Sequence, residues 1–154
     1  EGGIRVPCVV RWPDQVKPGS EVLTPSYFPD WFPTLANIAD APLETTQSLD
    51  GIDLTSAMKL GANPKREQPL TWEFNGYGGI VAIRDGNWKA LRRNLRKGKQ
   101  PLDWELYNLE TDPSESKDVA SNHPEIVAKL EARFLASRTT EPDFPVPFLD
   151  KLAK

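Results

Sequence analysis

The sequence predicts a mixed α/β fold, α+β within these 154 residues, and three observations carry that reading. Fifteen prolines and ten glycines cut the chain into short elements and leave no long helix before the C-terminal third. From Leu70 onward the apolar period shifts toward two around an Asp85-Gly86 pair, the pattern of an antiparallel hairpin. Residues 122–138 then return to helical spacing, with Ile126, Val127, Leu130, Phe134 and Leu135 apolar.

In chain order, residues 4–12 read as a strand buried on both faces, because Ile4, Val6, Cys8, Val9, Val10 and Trp12 put apolar groups at odd and even positions alike. Pro7 marks its beginning and Pro13 ends it. Asp30 then stands as an acidic N-cap before Trp31, Phe32, Leu35, Ile38 and Ala39, a helical apolar face. Pro33 falls in the first turn of that helix, which stops near Asp40, before Pro42. "LTWEF", the two arms of "GGIVAIRDGNWKALRR" and "LDWELYNL" supply four strands of one small antiparallel sheet. In the last of these Leu102, Trp104 and Leu106 share one face, while Tyr107 and Leu109 share the other. The helix at 122–138, opened by a capping box of Asn122 and Glu125, covers one face of the sheet. Residues 141–154 are proline-rich and read as an extended tail.

Composition is that of a water-soluble domain able to bury a core. Nineteen basic against twenty-two acidic residues give a formal net charge of -3, which excludes a global attraction to nucleic acid or an anionic membrane and leaves local patches open. The apolar runs are far shorter than a membrane span, and the N-terminus lacks the basic-then-apolar layout of a signal peptide. With Cys8 as the one cysteine, neither an internal disulfide nor a cysteine zinc site can be assembled.

Residues that could carry chemistry are few. His123, the single histidine, has no second ligand at metal spacing and reads as a helix-terminus residue. Cys8 reads as an inert core thiol among valines. Glu1-Gly2-Gly3 is too short to be a phosphate cradle and has no lysine or serine after it. "TWEFNGYGG" combines Trp72, Glu73, Asn75 and Tyr77 with glycines, which suits either the rim of a sugar-sized pocket or strand-end packing. "RRNLRKGK" places Arg92, Arg93, Arg96, Lys97 and Lys99 close together, which suits either a polyanion contact for a sulfated glycan or a solvated loop between strands.

Five stretches in order, "EGGIRVPCVVRWP", "FPDWFPTLANIADAP", "LDGIDLTSAM", "AIRDGNWKAL" and "WELYNLETDPSESKDVAS", resemble the C-terminal third of the type I sulfatases, arylsulfatases in particular. The resemblance spans residues 1 to about 138. It implies the alkaline-phosphatase-like fold: residues 1–66 as the end of the core domain and its sheet, 67–140 as a C-terminal antiparallel-sheet subdomain, and 141–154 as the tail. In such sulfatases "EGGIRVP" follows a sulfate-binding lysine by a few residues and leads into a strand of the large sheet, so the chain is expected to start inside a domain.

The resemblance further implies a sulfuric ester hydrolase that uses a formylglycine nucleophile and Ca²⁺ on aryl or carbohydrate sulfates. The formylglycine arises from a Cys-x-Pro-x-Arg type motif, and Cys8, followed by Val9, Val10 and Arg11, does not match it. Neither cofactor is expected on these residues, and the chain alone is expected to be inactive. Close relatives can carry histidine third in a "Trp-Glu-His" stretch; here that position is Phe74. The expected partner is the N-terminal part of the same enzyme or a second copy of the chain, with a sulfate ester as substrate, no nucleic acid and no membrane. A periplasmic or secreted location is implied by the family. The alternatives are a binding module for sulfated carbohydrate, a purely structural piece, or part of a related phosphonate or phosphodiester hydrolase.

Overall fold

The computed structural model describes residues 1–41, 43, 48–96, 101–143 and 145–152. It divides into two units, Pro7–Gln68 and Glu1–Val6 together with Pro69–Lys154.

In the first of these, helix α1 (Trp31–Ile38) follows a 3-10 turn, Phe28–Asp30, and helix α2 (Thr55–Leu60) ends on Gly61 in the left-handed conformation. The expected bounds of α1 hold, but its N-terminus is built differently. Asp30 makes no side-chain cap for α1. Its buried carboxylate instead accepts the Tyr27 N–H (2.9 Å), the Ile52 N–H (2.9 Å) and Arg66 Nη2 (2.6 Å), so three separate segments close on one side chain. Thr34 continues the tie: its hydroxyl donates to the Asp30 carbonyl (2.6 Å) and accepts the Leu54 N–H (2.9 Å). The buried side of α1 is Pro33 and Thr34, while Phe32 and Leu35, expected to face a core, are exposed.

The expected strand at residues 4–12 does not form. Ile4 and Arg5 donate to the Glu1 carbonyl in a turn, and Val9 is 92% exposed. A strand is held by a ladder to a neighbour, and no described segment pairs with these residues. Cys8, expected inside, is exposed for the same reason.

The second unit is a four-stranded antiparallel sheet in sequential order: β1 (Leu70–Phe74), β2 (Ile80–Asp85), β3 (Trp88–Arg93) and β4 (Glu105–Asn108). The hairpin is where the sequence places it, with its turn one residue later. Asp85 pairs with Trp88 as the last rung, so Gly86 and Asn87 form the loop, and only Gly86 has positive φ (+61°). That is the II′ arrangement, glycine first, whose twist matches the strands it joins.

Period-two alternation gives the sheet two different faces. Val81, Ile83, Ala90 and Leu106 pack under helix α3 (Pro124–Ser137), chiefly against Leu130 and Phe134. Trp104 meets the Phe134 ring edge-on at 5.9 Å between centroids. Ala82, Leu91, Tyr107 and Leu109 form a smaller cluster with Trp72. The exposed edge of β4 is covered: Asp118 Oδ1 accepts the Leu106 N–H (2.9 Å) and the Leu106 carbonyl accepts the Val119 N–H (2.9 Å).

Two terminal features depart from expectation. α3 begins at Pro124 with His123 as N-cap and no side-chain cap bond, so the Asn122/Glu125 capping box is absent. Proline at the first helical position lacks the N–H that a cap would satisfy and fixes a helical φ, which sets the start there and leaves Asn122 in a 3-10 turn. The tail is not wholly extended: Pro147–Asp150 form helix α4, which seats Val146 and Leu149 in the core below the sheet. Arg138, just past α3, clamps this end by reaching Glu73 (2.6 Å) and Asp150 (2.5 Å).

Candidate functional site

The sheet face away from α3 carries an open hollow of about 530 Å³. Trp72, Phe74 and Tyr77 supply aromatic walls, and Lys89 and Arg93 supply basic groups. A second hollow, about 280 Å³, lies beside the end of β1, with Phe74, Asn75, Gly79 and Arg96 among its walls.

Strand alternation explains the first hollow. Trp72, Ala82 and Leu91 are successive cross-strand neighbours, so all three point to this face. Lys89, opposite Tyr107 on β4, points there too. It is 4% exposed and meets Glu115 at 2.5 Å and the Glu1 side chain at 3.2 Å. Burial works against the ammonium, but these carboxylates outweigh it and hold the Lys89 pKa above its ordinary value. Burial likewise opposes the Glu115 carboxylate, and Lys89 together with the Glu1 ammonium outweighs it, so that carboxyl is held below its ordinary value. Burial, then the hydrogen bond to Glu105 (2.7 Å), raises the Tyr107 phenol and keeps it a donor.

The four rim candidates take different places. Trp72 and Tyr77 line the first hollow and Asn75 the second. Glu73 touches both, but its carboxylate is engaged by Arg138. The five basic candidates do not gather into one patch. Arg92 and Arg93 are consecutive in β3 and therefore fall on opposite faces. Arg92 donates to the Leu102 carbonyl (2.7 Å), pairs with Glu131 (3.3 Å) and lies over the Phe148 ring at 4.8 Å. Arg93 pairs with Glu105 at 2.8 Å. Arg96 is exposed beside the second hollow, and Lys97 and Lys99 lie outside the described residues.

Residue-type reasoning passed over Lys89 and the exposed ring of Phe74. For Lys89 the signal was present, since a lysine flanked by Trp88 and Ala90 in an alternating strand falls on the same side as Leu91. His123 stands against the Trp88 ring (5.2 Å between centroids) and near Glu125, at a helix start as expected. Among the described residues no three His, Cys, Asp or Glu side chains gather as a metal ion requires, and exposed Cys8 has no formylglycine motif.

Residues 1–140 match the family "N-sulphoglucosamine sulphohydrolase, C-terminal", so the chain belongs to this sulfatase family. Among curated relatives, mouse steryl-sulfatase is 39% identical over 93 residues, covering 59% of this chain and 15% of the relative. N-acetylgalactosamine-6-O-sulfatase of Bacteroides thetaiotaomicron is 30% identical over 142 residues, covering 84% of this chain and 26% of the relative. The crystal structure of Ps i-CgsB in complex with k-i-k-neocarrahexaose matches with a TM-score of 0.70 at 28% identity, over 92% of this chain and 31% of that one. The chain thus spans well under a third of the length of these curated relatives. The likeness carries the expected fold class, a sulfatase C-terminal part with its antiparallel sheet packed by a helix.

Proposed function

We propose that the chain is the C-terminal part of a sulfatase that hydrolyses sulfate esters of carbohydrates or aryl alcohols. The match of residues 1–140 to the family carries this reading. Formylglycine chemistry and Ca²⁺ belong to the reading through the family resemblance. The described residues offer no metal donor set, and Cys8 lacks the formylglycine motif.

The chain's own share is to bind and orient. Strand β1 and the loop after it place Trp72, Phe74 and Tyr77 along one side of a hollow, with Lys89 fixed by its carboxylates at the floor. Apolar walls with a few placed polar groups suit the alcohol portion of a sulfate ester, which is larger and less polar than the sulfate itself. The partner in this reading is the rest of the same enzyme, and the location is periplasmic or secreted. No described helix is long and apolar enough to cross a membrane.

The test is hydrolysis by the intact protein of matched sulfate and phosphate esters. Release of inorganic sulfate from an aryl sulfate and from a sulfated saccharide, faster than cleavage of the corresponding phosphodiester or phosphonate ester, is expected. Preference for the phosphorus ester would overturn the assignment in favour of the related hydrolases.

A further inference from the structure

Asparagine followed by glycine occurs once in the chain, at Asn75-Gly76, where β1 has ended and the loop to β2 begins. A chain can react with itself at such a pair. The nitrogen of the following residue attacks the asparagine side-chain amide, and glycine, having no Cβ, obstructs that approach least. A folded protein permits this only where the side-chain amide is accessible, the N–H is free of a hydrogen bond and the backbone between them can bend.

Asn75 meets these conditions. Its side chain is exposed and makes no hydrogen bond among the described residues, and the Gly76 N–H donates to none of them either. Asn37 and Asn87, by contrast, donate to Asp53 and Glu110 (2.8 Å each), and Asn108 Oδ1 accepts the Glu110 N–H (3.1 Å). The loop is fastened beyond the reacting bond. Gly79 N–H donates to the Gly76 carbonyl (2.9 Å), Leu95 N–H to the Gly79 carbonyl (3.2 Å) and Arg96 N–H to the Gly78 carbonyl (2.9 Å). Gly76 also has to be small, because a Cβ there would run into the Phe74 ring. That ring therefore favours glycine at the very position that makes Asn75 reactive.

We infer that Asn75 is a site of spontaneous deamidation in the native protein. The Gly76 nitrogen gives up its proton and bonds to Asn75 Cγ, the bond from Cγ to the side-chain nitrogen breaks, and ammonia leaves with that proton. The cyclic imide then takes up water. Opening at Cγ yields an ordinary aspartate link, and opening at the backbone carbonyl yields isoaspartate, in which the chain runs through the former side chain. Either product adds a carboxylate, charged at neutral pH. Isoaspartate also lengthens the backbone by a methylene between Phe74 and Gly76, which moves Gly76 from its place against the Phe74 ring. The inference stands on the Asn75-Gly76 pair and its surroundings and is independent of the sulfatase reading.

The experiment incubates the intact protein in native buffer at mildly alkaline pH, beside the same protein unfolded in urea. The peptide carrying Asn75 is followed by mass spectrometry and by isoaspartyl methyltransferase labelling. The expected result is exchange of the Asn75 amide nitrogen for oxygen, with isoaspartate the larger product. The native rate should lie within about tenfold of the unfolded rate, so that the fold adds little to the barrier. Asn37, Asn87 and Asn108 should stay intact in the native protein. Asn75→Gln, whose imide needs a larger ring, and Gly76→Ala, whose methyl crowds the nitrogen, should each lose the isoaspartate signal. The inference is overturned if the native rate at Asn75 falls further below the unfolded rate than that, if aspartate forms without isoaspartate, or if Gly76→Ala reacts as fast as the parent. Because Gly76→Ala also displaces the Phe74 ring, Asn75→Gln is the variant that keeps glycine beside that ring. Isoaspartate persisting in Asn75→Gln would put the reaction at another residue and overturn the inference as well.

Discussion

Lys89 Nζ lies 2.5 Å from Glu115 Oε1 on the sheet face opposite α3, so a central strand is joined to the loop after β4 by a charge pair with little access to water. Replacing Lys89 by Met would take the Lys89 ammonium from the Glu115 carboxylate and leave the Glu1 ammonium as its remaining cation. Leaving a shielded carboxylate less well compensated destabilises by about 1–3 kcal/mol. The expected result is a lower denaturant midpoint for Lys89→Met and a smaller loss for Lys89→Met/Glu115→Gln. Equal losses in the two proteins would show that the pair is not coupled.

The same pair sets a pH window. Glu115 is held below its ordinary value near 4.5, so its contribution is present above that pH and disappears as pH falls through the lower folded value. Lys89 is held above its ordinary 10.5, so its contribution is complete below that pH and disappears as pH rises through the higher folded value. Denaturation of the parent across pH should show both flanks, and the double variant should flatten both.

Asp30 is fully buried and closes Tyr27, Ile52 and Arg66 around one carboxylate. Asp30→Ala strands two backbone donors and a guanidinium that is 14% exposed, which should cost about 3 kcal/mol. Hydrogen exchange is the direct check: the Tyr27 and Ile52 amides should lose protection in Asp30→Ala. Unchanged protection would mean that backbone packing, not the carboxylate, holds the segment.

Gly86 has open space around its missing Cβ, so Gly86→Val tests conformation alone. A β-branched residue at φ +61° should destabilise the sheet unit by about 1 kcal/mol or more. Asn87→Val, at the other loop position, should cost less. A larger effect at Asn87 would contradict the II′ turn.

What the sequence made legible follows how local each determinant is. Alternation around Asp85 and Gly86 was enough to find the hairpin, and the facing of Trp104 and Leu106 against Tyr107 and Leu109 followed from period two. The turn slipped by one residue because Asp85-Gly86 and Gly86-Asn87 both satisfy the same glycine requirement. Residues 4–12 misled because an apolar run reports a preference for burial and says nothing about which chain supplies the ladder. The ion pair that occupies the Glu73 carboxylate has no local signature, since its partner Arg138 is remote in sequence and meets it only after α3 has packed on the sheet. The split of Arg92 from Arg93 was legible, once "WKALRR" was read as a strand to its end and not as the start of a loop.

The central claim is that this chain is the C-terminal part of a sulfatase and carries no Cys-x-Pro-x-Arg type nucleophile motif. Inorganic sulfate released from an aryl sulfate in the presence of Ca²⁺ tests it most directly, measured for residues 1–154 alone and for the intact protein. The account predicts release by the intact protein and none by residues 1–154. Release by residues 1–154 that survives purification and disappears on Cys8→Ala would contradict it, and would make the exposed thiol at Cys8 a reacting group.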